Sequence, residues 1–405
     1  MVLLRCTPLY LSSRCQDPNL RIGIISHLKY PIAEPFAGGL EMHTHLLARS
    51  LRARGHAVTL FGSTQSDPAL GLEAICDETK LLAAGTAEAA DIGFFREHHA
   101  YLGLMNRLRV SDFDIIHNNS LNYLPVAMAD ALPMPMVTTL HTPPFCWLES
   151  GIRECRSEAA VFVGVSESVR RSWSQIVPVA EVVRNGIDLT RFTFAPEPSH
   201  ERYLVWYGRI VPEKGLHHAL DAAALVGLPL KFAGPALDPA YFASEIRPRL
   251  GPGNQYLGHL VHADLAQVIA GATAFLCTPC WEEPYGLVVA EALACGVPVA
   301  SFARGAIPEI LTPDCGVLAL PDDVASLAIA TRKAVTLDRA ACRARAEAAC
   351  DAEGMIDAYE DLYARCVGRS AFKALKVSAR SASTGTNFSV SQRSLSHGQD
   401  TTAVI

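Results

Sequence analysis

The chain has 405 residues, of which half are hydrophobic and 19% charged. It is too long for one ordinary core and too apolar for a chain without fixed structure, so two globular domains are expected. A formal charge of −6 argues against a generally nucleic-acid-binding surface, and 12 cysteines scattered through apparent strands and helices lack the dense spacing of a small secreted scaffold.

Residues 1–19 show no periodicity and read as an unstructured extension. Val2 to Leu11 is apolar only in patches, interrupted by Arg5 and Pro8, so neither a signal peptide nor an anchor is expected there. With thiols that read as free, this sets a cytoplasmic expectation. Arg21 to Ser26 (RIGIIS) is a short, nearly continuous apolar strand of the kind covered on both faces. A loop with Pro31, Pro35 and the pair Gly38-Gly39 follows, then helical periodicity from Leu40 to Arg54 and the strand HAVTLF from His56. Strand, Gly-rich loop, helix, strand opens a doubly wound α/β domain whose first loop faces the ligand crevice. The glycines lack G-x-G-x-x-G spacing, which speaks against a dinucleotide site; alone they read as a tight turn.

Phe94 to Arg109 reads as an amphipathic helix with basic character. Its ordinary reading is a solvated face; the alternative is peripheral contact with an anionic membrane. FDIIH (Phe113 to His117) and MVTTL (Met136 to Leu140) are buried-type strands, and Asp112 and Asp114 are taken as local capping rather than a metal-chelating D-x-D. His141 follows the second strand directly, which points its imidazole into the crevice, where it can donate a hydrogen bond to a sugar hydroxyl or phosphate. Gly164-Val165-Ser166-Glu167-Ser168 nearly matches a nucleophile elbow, but Ser168 replaces the second glycine and no Asp and His follow in a hydrolase pattern, so a serine hydrolase is rejected. After the strand Glu181 to Arg184 comes the turn Asn185-Gly186-Ile187-Asp188, and the Pro-rich linker Pro196 to Pro198 marks a domain boundary.

A second α/β domain restarts at Tyr203 to Tyr207. Its first strand-to-helix loop carries Gly208-Arg209 and Glu213-Lys214-Gly215 before the helix Leu216 to Val226. Strands are expected at Leu230 to Gly234, Gln255 to Gly258 and Ala274 to Cys277, with a helix from Asp264 to Ala270. Cys277 and Cys280 form a lone C-x-x-C with no second pair at zinc spacing. Pro279 and Pro284 then bracket a turn, Gly286 frees the backbone, and a helix starts at Leu287; Glu283 precedes it and Glu291 lies inside it. A loop feeding a helix N-terminus offers unpaired N–H groups and partial positive charge, which suits a phosphate. Gly296-Val297-Pro298 ends that helix, PVASF is a buried strand, and Pro308-Glu309 begins another acidic element. Helical segments are expected over Asp323 to Ala349 and Gly354 to Val367, and the Ser/Thr-rich stretch 370–405 reads as a disordered tail.

The run E-P-Y-G-L-V-V-A-E-A-L-A-C-G-V-P-V-A resembles the E-x7-E signature of family 4 retaining glycosyltransferases, with Glu283 and Glu291 as its acids. Gly208 to Gly215 resembles that family's G-R-x-x-x-E-K-G loop, Gly38-Gly39-Leu40-Glu41 its G-G-x-E loop, Asn185 to Asp188 its N-G-I-D turn, and His141 its post-strand histidine. The resemblance covers roughly residues 20–368. It implies a GT-B fold, two doubly wound Rossmann-like domains facing across a cleft: 20–195 on the acceptor side, 196–353 binding the nucleotide sugar, and a helix over 354–369 crossing back to the first domain. It also implies roles. Glu291 would hold the ribose hydroxyls. Arg209 and Lys214 would neutralise the diphosphate with the amides of Gly286 and Leu287, while the backbone at Gly38-Gly39 approaches it from the other domain. Glu283 would orient the transferred sugar, and His141 would touch sugar or phosphate across the cleft. Cations placed where the leaving phosphate gains charge stabilise the transition state most.

The partners implied are a nucleotide-sugar donor, a UDP-sugar favoured, and a hydroxyl acceptor left unidentified, with no nucleic acid, no cofactor and no metal. Transfer could retain configuration on one face of the sugar or through a covalent carboxylate adduct; the first is preferred because no placed nucleophile stands out. Two other readings stay open: a silent nucleotide-sugar-binding protein, and another GT-B enzyme such as a UDP-sugar epimerase or a phosphorylase.

Overall fold

The structure is a computed structural model that describes residues 19–77, 92–177, 181–251 and 253–383, with side chains described as far as Ser370. Its frame is two parallel sheets. In the first, seven strands lie in the order β3-β2-β1-β4-β5-β6-β7: β1 Arg21–Ile25, β2 Ala57–Ser63, β3 Leu72–Cys76, β4 Ile115–Asn118, β5 Met136–Leu140, β6 Ala160–Gly164 and β7 Glu181–Val182. In the second, six strands lie in the order β10-β9-β8-β11-β12-β13: β8 Leu204–Tyr207, β9 Leu230–Ala233, β10 Gln255–Tyr256, β11 Ala274–Cys277, β12 Val299–Phe302 and β13 Gly316–Ala319. The central strands are buried on both faces, which is why they read as continuous apolar runs. On β1, Ile22 and Ile24 pack on one side and Ile25 on the other.

Each sheet reverses its strand order once, between β1 and β4 and between β8 and β11, and such switch points place a ligand crevice at the carboxyl ends of the strands. The helices that matter for this crevice are α1 Gly39–Ala53, α2 Ile92–Leu108, α3 Tyr123–Ala127, α4 Cys146–Glu154 and α5 Glu167–Ser172 in the first lobe, with α6 Leu216–Val226, α7 His262–Gly271, α8 Leu287–Ala294 and α9 Ile307–Ile310 in the second.

The single helix expected over Asp323 to Ala349 is two, α10 Val324–Ala334 and α11 Arg339–Ala349. Asp338 separates them because its carboxylate accepts from the amides of Ala340 and Ala341, an N-cap that starts a new helix. The last helix, α12 Ala352–Ser383, returns to the first lobe. Met355, Ile356, Tyr359 and Tyr363 are buried in one cluster with Ile22, Ile24 and Leu51, while Arg54 bonds Asp357 at 2.7 Å and Glu353 and Glu360 at 2.5 Å each. The helix runs on to Ser383, into the stretch expected as tail; Ala371 to Ala379 (AFKALKVSA) is rich enough in helix formers to extend it. The expected N-terminal extension to residue 18 and the tail from 384 lie outside the described residues.

Two crossings of the chain between the lobes lie side by side. The Ile187 amide donates to the Cys350 carbonyl at 2.8 Å, and the Ala352 amide to the Ile187 carbonyl at 3.0 Å. Gly186 makes this approach feasible: a Cβ there would sit 2.5 Å from the Cα of Ala352.

Candidate active site

The second lobe supplies the charged wall. After β8 the chain turns through Arg209 to Gly215, and Thr278 Oγ1 at the end of β11 donates to the Gly215 carbonyl at 2.9 Å, fastening that loop to the next one. Lys214 Nζ therefore lies 2.7 Å from Glu283 Oε2, which also accepts from Trp281 Nε1 at 2.9 Å, and the ammonium sits 5.0 Å from the Trp281 ring centroid. Arg209 is only loosely held, 3.9 Å from Glu213, so its guanidinium remains available to a ligand. Gly286, in the left-handed region at φ +99°, caps α8 and turns Leu287 into its first position. The opening amides of a helix have no partner within it, so this end offers donors and positive potential.

One turn into α8, Glu291 is 6% exposed. Burial raises its carboxyl to about 7, with the Tyr207 hydroxyl beside it acting in the opposite direction. The Tyr207 hydroxyl itself donates to the Val288 carbonyl at 2.6 Å, so the floor under Glu291 is fixed.

From the first lobe, Gly38 caps α1 and Gly39 opens it, and the N-termini of α1 and α8 meet: a Cβ on Gly39 would come within 2.8 Å of Leu287 Cδ1. Glu41, in the first turn, is buried 3.6 Å from His27, and burial raises its carboxyl. His141 follows β5, is 8% exposed, and is held well below the usual imidazole range first by burial and then by His43 and His117. Its Nε2 is 2.9 Å from Asn119 Oδ1. A neutral ring whose Nε2–H donates to that oxygen has Nδ1 left as an acceptor. The donation expected from His141 would use a proton that is already engaged in the hydrogen bond to Asn119, and Nδ1 is the nitrogen left to meet a ligand, as an acceptor.

Gly38, Gly39, His141, Arg209, Lys214, Glu283, Gly286, Leu287 and Glu291 all line one cavity of about 390 Å³ between the lobes, within the usual range for small-molecule sites. Sequence reasoning singled out no role for Asn185, Leu121, His259 or Trp281, which line it too. Asn185 had a signal, since it opens the N-G-I-D turn; its buried Oδ1 has no hydrogen-bond partner among the described residues, so a ligand donor could satisfy it. Trp281 had none, being placed by its bond to Glu283 and by the Lys214 ammonium over its ring.

Contacts across the cleft hold the lobes together. Ser166 Oγ accepts from the Val169 amide at 3.1 Å and donates to the Pro284 carbonyl at 2.6 Å, so it is a helix cap and a clasp. Glu309 accepts from the amides of Glu167 and Ser168 at 3.0 and 2.7 Å, capping α5 from the opposite lobe. Among the described residues, His217, His218 and Cys280 bring candidate metal-ligand atoms within 4.8 Å of one another. The two rings lie 4.0 Å apart between centroids at a 40° tilt, and His217 Nδ1 is taken by the Tyr241 hydroxyl at 2.7 Å, so one of the candidate nitrogens is already engaged. No described helix is long and apolar enough to cross a membrane.

Residues 37–191 match the family model Glycosyltransferase Family 4, and residues 190–349 match Glycosyl transferases group 1. A glycogen synthase of Mycobacterium tuberculosis is 27% identical over 77% of this chain and 86% of its own length. A phosphatidyl-myo-inositol mannosyltransferase of Mycolicibacterium smegmatis is 24% identical over 77% and 83%. Among solved structures, HepE of Anabaena in complex with UDP and glucose superposes with a TM-score of 0.66 at 18% identity, over 85% of this chain and all of that one. Sucrose-phosphate synthase from Thermosynechococcus elongatus gives 0.66 at 20%, over 87% and 99%. These structural likenesses concern the fold, two parallel-sheet lobes about a cleft of GT-B type.

Proposed function

The chain belongs to the family 4 glycosyltransferases of GT-B fold, and from that premise we propose that it moves a hexosyl group from a nucleotide sugar, a UDP-sugar in the first instance, to a hydroxyl acceptor with retention of configuration. The observation that carries this reading is the convergence on one cavity of Lys214, Arg209, the N-terminus of α8 and the buried Glu291. The two cations and the helix end suit a diphosphate, and a fixed carboxylate suits a pair of ribose hydroxyls. Lys214 now holds Glu283 at 2.7 Å and would share itself with the phosphate when the donor binds.

In the chemical step the bond from C1 of the sugar to the phosphate oxygen breaks as a bond from the acceptor oxygen to C1 forms. The departing phosphate takes the acceptor proton. Same-face transfer is favoured because the cleft carboxylates are occupied or muted as nucleophiles. Glu283 is tied to Lys214 and Trp281, Glu34 is paired with Arg191, and burial raises the carboxyls of Glu41 and Glu291. His141 Nδ1 would accept from a sugar hydroxyl, aligning the ring without moving a charge. No metal is needed in this scheme, since Arg209 and Lys214 do the neutralising.

The test is incubation with UDP-, GDP- and ADP-sugars and a mixed acceptor pool, reading nucleotide release and then the anomeric proton of the product by NMR. Nucleotide release dependent on acceptor, with an unchanged anomer, supports the proposal. An inverted anomer rejects retention, an inorganic-phosphate requirement points to a phosphorylase, and binding without turnover leaves a silent binding protein.

A further inference from the structure

At the mouth of the cleft on the first lobe, three helices begin together. In a parallel sheet the helices that follow β4 and β5 start at the carboxyl edge, which faces the crevice, and a helix that precedes β4 has its first turn at the same edge. Each of these three helix starts carries an aromatic ring: Phe94 in the first turn of α2, Tyr123 as the first residue of α3, and Trp147 as the second of α4. The rings form one surface. Phe94 and Trp147 have centroids 5.2 Å apart and tilt 39°, Tyr123 and Trp147 are 6.0 Å apart at 33°, and His98 joins Tyr123 through a 3.0 Å hydrogen bond to its hydroxyl. Yet Trp147 is 53% exposed and Phe94 43%, an unusual share for rings already assembled.

The surface is joined to the cavity through Leu121, which lines the cleft two residues before Tyr123. Leu121 has φ +58°, a left-handed conformation that a bulky residue rarely adopts. A local network holds it there: Ser120 Oγ donates to Asn118 Oδ1 at 2.6 Å and accepts from the Asn122 amide at 3.2 Å. Backbone strain of this kind persists where the surroundings enforce it, and it is concentrated at functional sites.

We propose that Trp147, Phe94 and Tyr123 form an acceptor subsite that takes a carbohydrate chain of two or more sugars, stacked on the rings with its terminal hydroxyl reaching past Leu121 into the cleft. This rests on the transferase reading and names its acceptor class. Sugar rings present C–H faces that suit flat aromatic surfaces and hydroxyls that suit the polar rim around His98. Two of the flanking cations are paired with acids, Arg107 with Glu73, and Arg153 with Glu149 at 2.6 Å, which suits a neutral glycan better than an anionic membrane.

The experiment is a printed array of free oligosaccharides, followed by titration calorimetry of the bound ones and their constituent monosaccharides against wild type, Trp147→Ala and Phe94→Ala. Vesicles of phosphatidylglycerol and phosphatidylcholine are run alongside in a sedimentation assay. The expected result is an oligosaccharide that binds more tightly than its monosaccharide and loses affinity about tenfold in Trp147→Ala, with a smaller loss in Phe94→Ala. An array on which the wild type binds no oligosaccharide, affinities unchanged in both variants, or sedimentation with vesicles that depends on Trp147 would each overturn it. A thermal shift with UDP on the same preparations separates the two levels: retained UDP binding without glycan binding removes this subsite alone, and its absence removes the transferase reading beneath it.

Discussion

Replacing Glu291 with Gln tests the link between burial and donor binding. The carboxyl is buried and raised to about 7, from an ordinary value near 4.5. Between those two values the folded protein holds a proton that the unfolded chain releases, so this group's contribution to stability is greatest below pH 4.5 and declines as pH rises through 7. The difference of about 2.5 pKa units corresponds to roughly 3 kcal/mol at 1.36 kcal/mol per unit, an upper bound because water in the cleft screens part of it. The Gln side chain has nearly the same shape and never ionises. Glu291→Gln should therefore melt close to wild type at pH 5 and above it at pH 8, by up to about 6–12 °C for a lobe of this size. The same variant should lose transfer, and the affinity of wild type for UDP should strengthen from pH 5 to pH 8, because ribose hydroxyls bind the ionised carboxylate better. Scanning fluorimetry across pH, with and without UDP, reads both effects. A melting offset from wild type that is the same at pH 5 and pH 8 would show that Glu291 does not hold its proton through burial.

Lys214→Ala should reduce kcat/KM roughly 10- to 150-fold, the loss of one charge-assisted contact of about 1.5–3 kcal/mol, while circular dichroism stays native; wild-type turnover in the purified variant would contradict the assignment. Glu309→Ala removes the carboxylate that caps α5 from the other lobe, so small-angle scattering should show a larger radius of gyration and kcat should fall with both lobes folded. Gly186→Val places side-chain atoms where Ala352 approaches, and urea melts should show a lowered midpoint for the whole chain. Activity should persist in EDTA; loss on chelation, restored by added metal, would show that the cations do not suffice.

The two-lobed fold was legible because its strands are buried on both faces. RIGIIS, FDIIH and MVTTL could be read from apolar continuity alone, and the glycines and prolines between them punctuate the loops. Side-chain capping was harder to see. Asp338 breaks an otherwise helical stretch through two hydrogen bonds, and nothing in the apolar period around it announces the break. At the site, Lys214, Glu283 and Glu291 could be singled out because acids and bases at loop and helix-start positions are conspicuous. Asn119 could not. It sits in an unremarkable polar run after β4, yet its amide oxygen decides which nitrogen of His141 is free. The aromatic rings of Phe94, Tyr123 and Trp147 are far apart in sequence, and only the parallel topology gathers them at one edge. Ser166 shows the opposite limit: its surroundings resemble a nucleophile elbow, and its hydroxyl is engaged in capping α5 and binding Pro284.

On this reading the cleft grips a nucleoside diphosphate with Arg209, Lys214 and the start of α8, with the ribose on Glu291. The decisive experiment is a crystal structure with UDP. Phosphate density should lie within hydrogen-bonding distance of Lys214 and the amides of Gly286 and Leu287, with both ribose hydroxyls on the Glu291 carboxylate. Nucleotide density seated elsewhere, with Glu291 still buried and empty-handed, would contradict it.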